Sequence, residues 1–288
     1  MKELVVVSGK GGTGKTSLVA CFAALAEKKV MADCDVDAAD LHLILNPVIK
    51  RKETFSGGFS AVINKDKCIE CGKCIELCKF DAVSEDYEID KISCEGCGVC
   101  AYFCPEKAID MIQNISGEWY ISDTRFGKFV HAKLGIAEEN SGKLVAIVRR
   151  IARIIAKMET SELVVVDGSP GIGCPVISSI TGADYVLIVT EPTLSGKHDL
   201  DRMAKLTNHF KVRTGVCINK FDLNLNVTEE IEKFCNDNSF DFLGKIPYDD
   251  VFIKAMINRK SVVEYSNDKT SEIIQNIWNI IVGQLKKL

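Results

Sequence analysis

Eight of the thirteen cysteines fall into two copies of one spacing, C-x2-C-x2-C-x3-C, and thiolate sulfur at such intervals binds iron or zinc. The first copy consists of Cys68, Cys71, Cys74 and Cys78, and the second of Cys94, Cys97, Cys100 and Cys104. Pro105 follows the second copy, whereas Lys79 stands at the corresponding place after the first. This spacing predicts two 4Fe–4S clusters in environments that are not equivalent.

The spacing also predicts which cysteines share a cluster. Three thiolates at intervals of three hold three irons of one cubane, and the fourth ligates the neighbouring cluster, as in bacterial-type ferredoxins. The predicted first set is Cys68, Cys71, Cys74 and Cys104, and the second is Cys94, Cys97, Cys100 and Cys78. The alternative, two four-cysteine zinc sites, needs only separated C-x2-C pairs and leaves the other cysteines of each copy unexplained.

A glycine-rich segment at residues 9–16 lies between an apolar strand at 3–8 and a helical pattern at 17–26. In that setting backbone N–H groups and the helix dipole converge on phosphate. The predicted nucleotide contacts here are Gly11, Gly12, Thr13, Gly14, Lys15, Thr16 and Ser17. Lys15 would reach the β- and γ-phosphates, and the Thr16 hydroxyl would hold Mg²⁺.

The same glycines also satisfy the G-x-G-x-x-G pattern of NAD-binding folds, and Asp33 follows Gly14 at about the ribose-binding distance. Two further features favour a nucleoside triphosphate. Lys15 and Thr16 complete a phosphate loop, and a second apolar strand ends in Asp167, as a Walker B strand does to hold Mg²⁺.

With Lys10 at the start of the loop, residues 10–16 resemble the deviant Walker A motif of the MinD/ParA/nitrogenase-iron-protein group. The resemblance continues at residues 33–35, 167–171, 219–220 and 244–249, and covers essentially the whole chain. It implies a SIMIBI-type P-loop ATPase, with a doubly wound, mostly parallel α/β sheet, that contains an inserted small α+β ferredoxin-like domain.

The family's residue roles follow from the same resemblance. Lys10 would reach across a dimer to the partner's phosphates, and Asp35 would position the attacking water. Asn219 would recognise adenine, with Lys220 and Pro247 also contacting the nucleotide. Taken singly, a lysine such as Lys10 is usually solvated, and the acids near Asp35 could form a solvated loop.

Cys174, seven residues after Asp167, is a candidate for an interface metal or cluster site. The nitrogenase iron protein has a cluster-ligating cysteine at this offset, and the alternative is a small buried thiol at a helix start. Cys21, Cys217 and Cys235 are predicted to be core residues, and Cys34 stays undecided.

The expected organisation is an ATPase domain formed by residues 1–59 and 114–288, interrupted by a ferredoxin domain at 60–113. Residues 117–142 are predicted to return to the sheet as short strands and loops, followed by a helix at 143–157. Later strands are expected near 163–166, 184–190, 212–218 and 241–246. A last helix at 270–287 has an apolar face that is predicted to pack on the sheet rather than bind a membrane, because few basic residues accompany it.

Composition limits the compartment and the partners. The net charge of −4 without a long basic run argues against nucleic acid as a main partner. The absence of an export signal and of a long apolar stretch predicts a cytoplasmic protein without stable membrane insertion. Thirteen cysteines then indicate a reducing compartment, and ferredoxin-type clusters indicate low oxygen.

The favoured function is an ATPase with two 4Fe–4S clusters that couples ATP and Mg²⁺ binding and hydrolysis to electron transfer, or to metal or cluster delivery, to a client redox or metalloprotein. We expect a homodimer or a heterodimer with a paralogue. The alternative is a MinD/ParA-like positioning or scaffold ATPase with redox-sensing clusters. A cobyrinate-diamide-synthase-like ligase is the third class, disfavoured because nothing in the chain resembles a glutaminase domain.

Overall fold

A computed structural model describes residues 1–135 and 140–288 of the chain. The strands are β1 (Lys2–Ser8), β2 (Lys29–Asp33), β3 (Val48–Ile63), β4 (Ile109–Thr124), β5 (Gly127–Leu134), β6 (Leu163–Pro170), β7 (Tyr185–Thr190), β8 (Arg213–Asn219) and β9 (Asp241–Ile246). The helices are α1 (Lys15–Leu25), α2 (Leu41–Leu45), α3 (Lys73–Leu77), α4 (Val99–Phe103), α5 (Ser141–Met158), α6 (Cys174–Ile180), α7 (Leu194–His209), α8 (Leu225–Asp237), α9 (Val251–Ile257), α10 (Val262–Tyr265) and α11 (Lys269–Leu285).

The strands form a nine-stranded sheet in the order β3-β4-β5-β2-β6-β1-β7-β8-β9. Every pairing from β5 to β9 is parallel, and the central strands are apolar without alternation because helices cover both faces. This is the predicted doubly wound, mostly parallel α/β fold. Since β1, β2, β6, β7 and β8 run in one direction, the residues that follow them meet along one edge of the sheet.

One layer of the core lies under α1 and α11. The rings of Phe22 and Trp278 contact each other at a tilt of 33°, with centroids 5.0 Å apart, and Leu4 and Val165 pack against this layer from the sheet. The apolar stripe of α11, which includes Ile274, is buried there. The predicted packing of the last helix on the sheet is therefore confirmed.

On the other face of the sheet α5 packs against α6 and β2. The helix predicted at 143–157 is therefore present, and its observed bounds, Ser141–Met158, are slightly wider. Cys21, Cys217 and Cys235 are buried, as predicted.

Residues 117–142 differ from the prediction of short strands and loops. β4 is a single strand of 16 residues that extends to Thr124, and β5 follows after a two-residue turn. Residues 136–139 of that predicted segment lie outside the described residues. Exposed charged and apolar residues alternate only weakly along β3 and β4, which is why the pattern did not reveal two long strands.

The chain divides into two compact units. The first, called here the nucleotide unit, comprises residues 1–53, 119–133 and 141–288. The second, the cysteine unit, comprises residues 54–118 and 134–140. The predicted boundaries of the inserted domain, 60 and 113, remain a prediction. None of the helices within residues 1–135 and 140–288 has the length and apolar character that a membrane span requires.

Candidate functional site

The glycine-rich loop connects β1 to α1 and lines a cavity of about 420 Å³, within the range of small-ligand sites. Gly12 and Gly14 have φ angles of 79° and 87°, which favour glycine. No side chain caps the start of α1 at Gly14, so its first N–H groups are available to an anion. The lining includes all seven predicted loop contacts, namely Gly11, Gly12, Thr13, Gly14, Lys15, Thr16 and Ser17, and also Asp35 and Met256.

Lys15 is buried and forms two ion pairs inside this cavity. Its Nζ lies 2.6 Å from Asp167 Oδ1 and 3.3 Å from Asp35 Oδ2. Burial alone would lower the pKa of Lys15, but the carboxylates of Asp167 and Asp35 outweigh it and raise that pKa. The ammonium is therefore charged, and it is held by groups that a bound phosphate would replace.

Three buried oxygen atoms around Lys15 have no hydrogen-bond partner among the described residues: Asp33 Oδ2, Asp167 Oδ2 and Thr13 Oγ1. The sheet register places Asp33 directly beside Asp167 on neighbouring strands. Burial, followed by the charge of Asp167, raises the pKa of Asp33 well above its ordinary range. Carboxylate oxygens are donors that Mg²⁺ prefers, and the unpartnered Asp167 Oδ2 therefore fits the predicted role of Asp167 in holding a magnesium ion.

A second charged cluster follows the neighbouring strand β7. Glu191 lies 2.5 Å from Lys10 Nζ and 3.4 Å from Lys220 Nζ. Lys10 Nζ also donates to Ser195 Oγ at 3.2 Å, and Lys220 Nζ donates to the Gly12 carbonyl at 3.0 Å. Lys10 is thus paired within its own chain rather than solvated.

Glu191 was not among the residues that the sequence singled out. Its signal was present, because it is an acid directly after a buried parallel strand, as Asp167 is at the end of its own apolar run. Burial alone would raise the pKa of Glu191, but the hydrogen bond from Lys10 and the charge of Lys220 outweigh it and lower that pKa. The carboxylate is therefore ionised and joins the two lysines.

Asn219, at the end of β8, contacts the phosphate loop directly. Its side-chain Nδ2 donates to the Thr13 carbonyl at 2.8 Å. A Cβ atom on Gly14 would lie 2.4 Å from that nitrogen, so the contact requires glycine. Pro247 follows β9 at the same edge of the sheet but is not among the residues that line the cavity.

Cys174 and Cys34 have opposite environments. Cys174 begins α6 and is exposed, so the alternative of a buried thiol is wrong for this residue. Cys34 is fully buried, its N–H donates to the Asp167 carbonyl at 2.7 Å, and its carbonyl accepts from Ser169 Oγ at 2.6 Å. These backbone contacts give Cys34 a structural place between β2 and β6.

The cysteine unit has two cavities that are lined by cysteines of both motif copies. The first is lined by Cys68, Cys71, Cys74 and Cys104, and the second by Cys78, Cys94, Cys97 and Cys100. Each cavity thus brings together the four cysteines that the spacing assigns to one cluster. Within residues 1–135 and 140–288, no group of three or more His, Cys, Asp or Glu side chains is placed to hold a single metal ion.

The two halves of the cysteine unit repeat one backbone conformation. Gly72 and Gly98 precede α3 and α4 with φ angles of 74° and 75°. Cys78 and Cys104 end these helices, and each sulfur accepts a backbone N–H, from Ala82 at 3.4 Å and from Ala108 at 3.3 Å. Four soft sulfur donors per cavity, apolar walls and amide hydrogen bonds to sulfur fit a four-cysteine iron–sulfur cluster.

Comparisons with known proteins agree with the fold of the nucleotide unit. The family model of the CobQ/CobB/MinD/ParA nucleotide binding domain matches residues 4–262. The solved septum site-determining protein MinD from Pyrococcus horikoshii, complexed with Mg-ADP, has a TM-score of 0.61 at 17% identity, covering 100% of this chain and 99% of that one.

One relative matches nearly the whole chain, and another matches only a short segment of it. The uncharacterized protein MJ0578 of Methanocaldococcus jannaschii is 34% identical over 281 residues, which is 96% of this chain and 95% of the relative. The pyruvate synthase subunit PorD of Methanothermobacter marburgensis is 47% identical over 53 residues, which is only 18% of this chain and 65% of that subunit.

The family model spans most of the chain, and the phosphate loop, the acids at the strand ends and the sheet order all accord with it. The chain therefore belongs to the CobQ/CobB/MinD/ParA nucleotide-binding domain family and is a P-loop ATPase.

Proposed function

We propose that this ATPase carries two 4Fe–4S clusters and couples ATP binding and hydrolysis to electron transfer, or to cluster or metal delivery, to a client protein. The observation that carries the proposal is the pair of four-cysteine cavities in a chain that also has a P-loop site. The partial similarity to PorD supports it independently.

On the nucleotide side, the phosphate groups of ATP would replace Asp35 and Asp167 as the partners of Lys15. The Lys15 ammonium donates to one oxygen each of Asp35 and Asp167. When phosphate oxygens take over the ammonium, both carboxylates lose their cation. Asp167, with the Thr16 hydroxyl, would then hold Mg²⁺, whose charge offsets that of the phosphates.

Asp35 would orient the water that attacks the γ-phosphate in line. Burial raises the pKa of Asp35, which makes this carboxylate a stronger base toward a water molecule than an exposed aspartate is. Lys15 and Lys10 would neutralise the charge on the transferred phosphoryl group. Asn219, Lys220 and Pro247 lie at the edge of the sheet from which the base would be bound.

Dimerisation would release Lys10 from its own chain. Lys10 is held by Glu191, Ser195 and Thr193 in the single chain. To reach a partner's phosphate it must exchange these contacts, so ATP would bias the equilibrium between two states of the dimer. The partner subunit would be a second copy or a paralogue, and Cys174, exposed at the start of α6, remains a candidate for an interface metal or cluster.

On the cysteine side, the eight thiolates would hold two clusters that accept or donate single electrons. Apolar side chains such as Ile63, Val83 and Met111 line the two cavities beside these sulfurs, whereas Cys71 and Cys97 are exposed. Protein hydrogen bonds and burial of this kind tune the potentials of such clusters.

A positioning or scaffold ATPase is a second candidate. It is favoured by the structural similarity to MinD from Pyrococcus horikoshii, which covers the whole chain. In that case the clusters would sense redox state rather than deliver electrons. The two candidates differ in whether ATP alters the clusters.

The first experiment determines the metal content of anaerobically prepared protein. The proposal predicts about eight irons and eight acid-labile sulfides per chain, with the electron paramagnetic resonance of two reduced cubanes. Zinc in place of iron, or one cluster only in the unmodified protein, would contradict it.

A further inference from the structure

The two halves of the cysteine unit provide an internal comparison, because one backbone carries two different surfaces. In α3 the outward positions are occupied by Lys73 and Glu76. At the corresponding positions of α4 stand Val99, which is 37% exposed, and Tyr102, which is 83% exposed. The fold therefore tolerates charged residues at both positions, and the apolar pair in α4 is not required for packing.

The rims of the two cavities differ in the same way, with a charged residue at one and an apolar residue at the corresponding position of the other. Glu106 lines the first cavity, and Phe80, 45% exposed, stands at the corresponding place in the second. One position differs in the opposite sense, since Ile69 lines the first cavity and Glu95 the second. The second cavity therefore has Phe80 and Val99 where the first has Glu106 and Lys73.

These residues form one continuous patch, which we call the apolar face: Phe80, Val99, Tyr102 and Phe103. Phe80 and Val99 both line the second cavity. Val99, Tyr102 and Phe103 follow one side of α4 at helical spacing, and the two aromatic rings meet edge to face at 5.0 Å. A cluster of exposed aromatic residues of this kind is typical of a protein-binding surface.

The charge around the apolar face limits what can bind there. Residues 64–113 contain eleven Asp and Glu against six Lys and no Arg. Thiolate-ligated clusters would make this surface more negative still, because four thiolates outweigh the charge of the iron–sulfur core. A partner must therefore combine a positive rim with an apolar centre.

We propose that the apolar face is the surface at which the cluster of the second cavity exchanges one electron with a small, basic redox protein. This inference rests on the proposed function. The electron leaves the reduced cluster, whose core goes from the 1+ to the 2+ state, and reduces the acceptor by one unit. Such encounters need only a small contact area, which suits a patch of four side chains.

The test exchanges residues between the two halves. The double variant Val99→Lys/Tyr102→Glu gives α4 the charged residues of α3, and the net charge of the chain does not change. The matched control, Lys73→Val/Glu76→Tyr, gives α3 the apolar pair. The probe is ferricytochrome c, a small basic haem protein, mixed anaerobically with the reduced protein in a stopped-flow instrument.

We expect the unmodified protein to reduce ferricytochrome c at a rate that falls with rising ionic strength, because salt screens the attraction between two oppositely charged proteins. The α4 variant should be slower by about tenfold, the effect of losing one aromatic contact at a binding centre. The α3 control should not be slowed. Calorimetric titration of the oxidised protein with ferrocytochrome c, where no electron passes, should show the same order of affinities.

Iron and sulfide content and reduction of ferricyanide, a small oxidant that needs no docking surface, should be unchanged in both variants. Equal rates and affinities for the α4 variant and the unmodified protein, with both clusters present, would overturn the docking proposal and leave the proposed function intact. Loss of clusters in the double variant is resolved by Tyr102→Glu alone, at the most exposed position. An unmodified chain without clusters would overturn both proposals.

Discussion

The nucleotide unit and the cysteine unit assemble their candidate sites in opposite ways. In the nucleotide unit, Lys15 pairs with Asp167 across 152 residues of sequence, and the parallel register of β2 and β6 places Asp33 beside Asp167. In the cysteine unit each cavity takes three cysteines from one short loop and one from the twin copy. The first site depends on the whole sheet, and the second on local spacing.

The two sites also differ in what neutralises them. In the nucleotide unit, Lys15 neutralises the buried carboxylates from within the chain. In the cysteine cavities the described contacts of the sulfurs are with backbone N–H donors, for example at Cys78 and Cys104. We therefore expect the cysteine unit to depend on its bound group far more than the nucleotide unit depends on ATP.

The largest effect is expected from removing the fourth cysteine of either motif copy, which is predicted to ligate the cluster of the other copy. Cys104→Ala should remove the cluster otherwise held by Cys68, Cys71 and Cys74, although Cys104 belongs to the other copy. Cys78→Ala should remove the cluster of Cys94, Cys97 and Cys100. Each variant should lose about half of the iron, measured with the resonance spectrum of the cluster that remains. If Cys104→Ala removed the second cluster instead, the pairing would be local and the assignment wrong.

The next prediction concerns how much Lys15 contributes to the free energy of unfolding of the nucleotide unit. Lys15→Ala should abolish ATP binding and also leave Asp35 and Asp167 buried without a cation. Loss of one partner of a buried ion pair lowers the free energy of unfolding by about 3 kcal/mol. Denaturant titration of the nucleotide-free protein measures it. Lys28→Ala breaks the exposed pair with Glu162 at 3.0 Å and serves as the control, with little change expected.

Asp35→Ala separates binding from chemistry in the nucleotide unit. Since a water-orienting group acts mainly in the transition state, we expect the affinity for ATP to change little and the hydrolysis rate to fall by about 100-fold. Binding is measured by calorimetry with Mg-ATP, and hydrolysis by phosphate release. Unchanged turnover would remove Asp35 from the mechanism.

The smallest effect concerns Glu191. Glu191→Gln should free Lys10 and Lys220, and we expect ATP-dependent dimerisation to strengthen a few-fold. Because the folded-state pKa of Glu191 is lowered, its ion pairs are fully present above its unfolded pKa of about 4.3 and are lost as the pH falls through the folded value. The loss of stability between pH 5 and pH 3 should therefore be smaller in the variant. Identical pH profiles would show that the pairs contribute nothing.

The sequence predicted the elements that carry strong local signals. The glycine-rich loop and the helix predicted at 143–157 depend on spacings within a few residues, and the grouping of cysteines around the two cavities follows from the repeated C-x2-C-x2-C-x3-C spacing. It did not predict that Lys15 is shared between Asp35 and Asp167, because those distances depend on the register of separate strands. Glu191 was missed although its position directly after an apolar strand was a readable signal. The long strands β3 and β4 were missed because exposed residues obscure their alternation.

We propose that the nucleotide unit and the clusters of the cysteine unit share one mechanism. The most direct measurement is the affinity for Mg-ATP in fully reduced and fully oxidised protein, by anaerobic calorimetry. Linkage requires that, if ATP shifts the cluster potential, the oxidation state shifts ATP affinity by the reciprocal factor, about 5-fold or more for a functional coupling. Lys10→Ala should abolish this difference while leaving both clusters intact. Equal affinities in the two oxidation states, with both clusters present, would contradict gated transfer and favour the scaffold function.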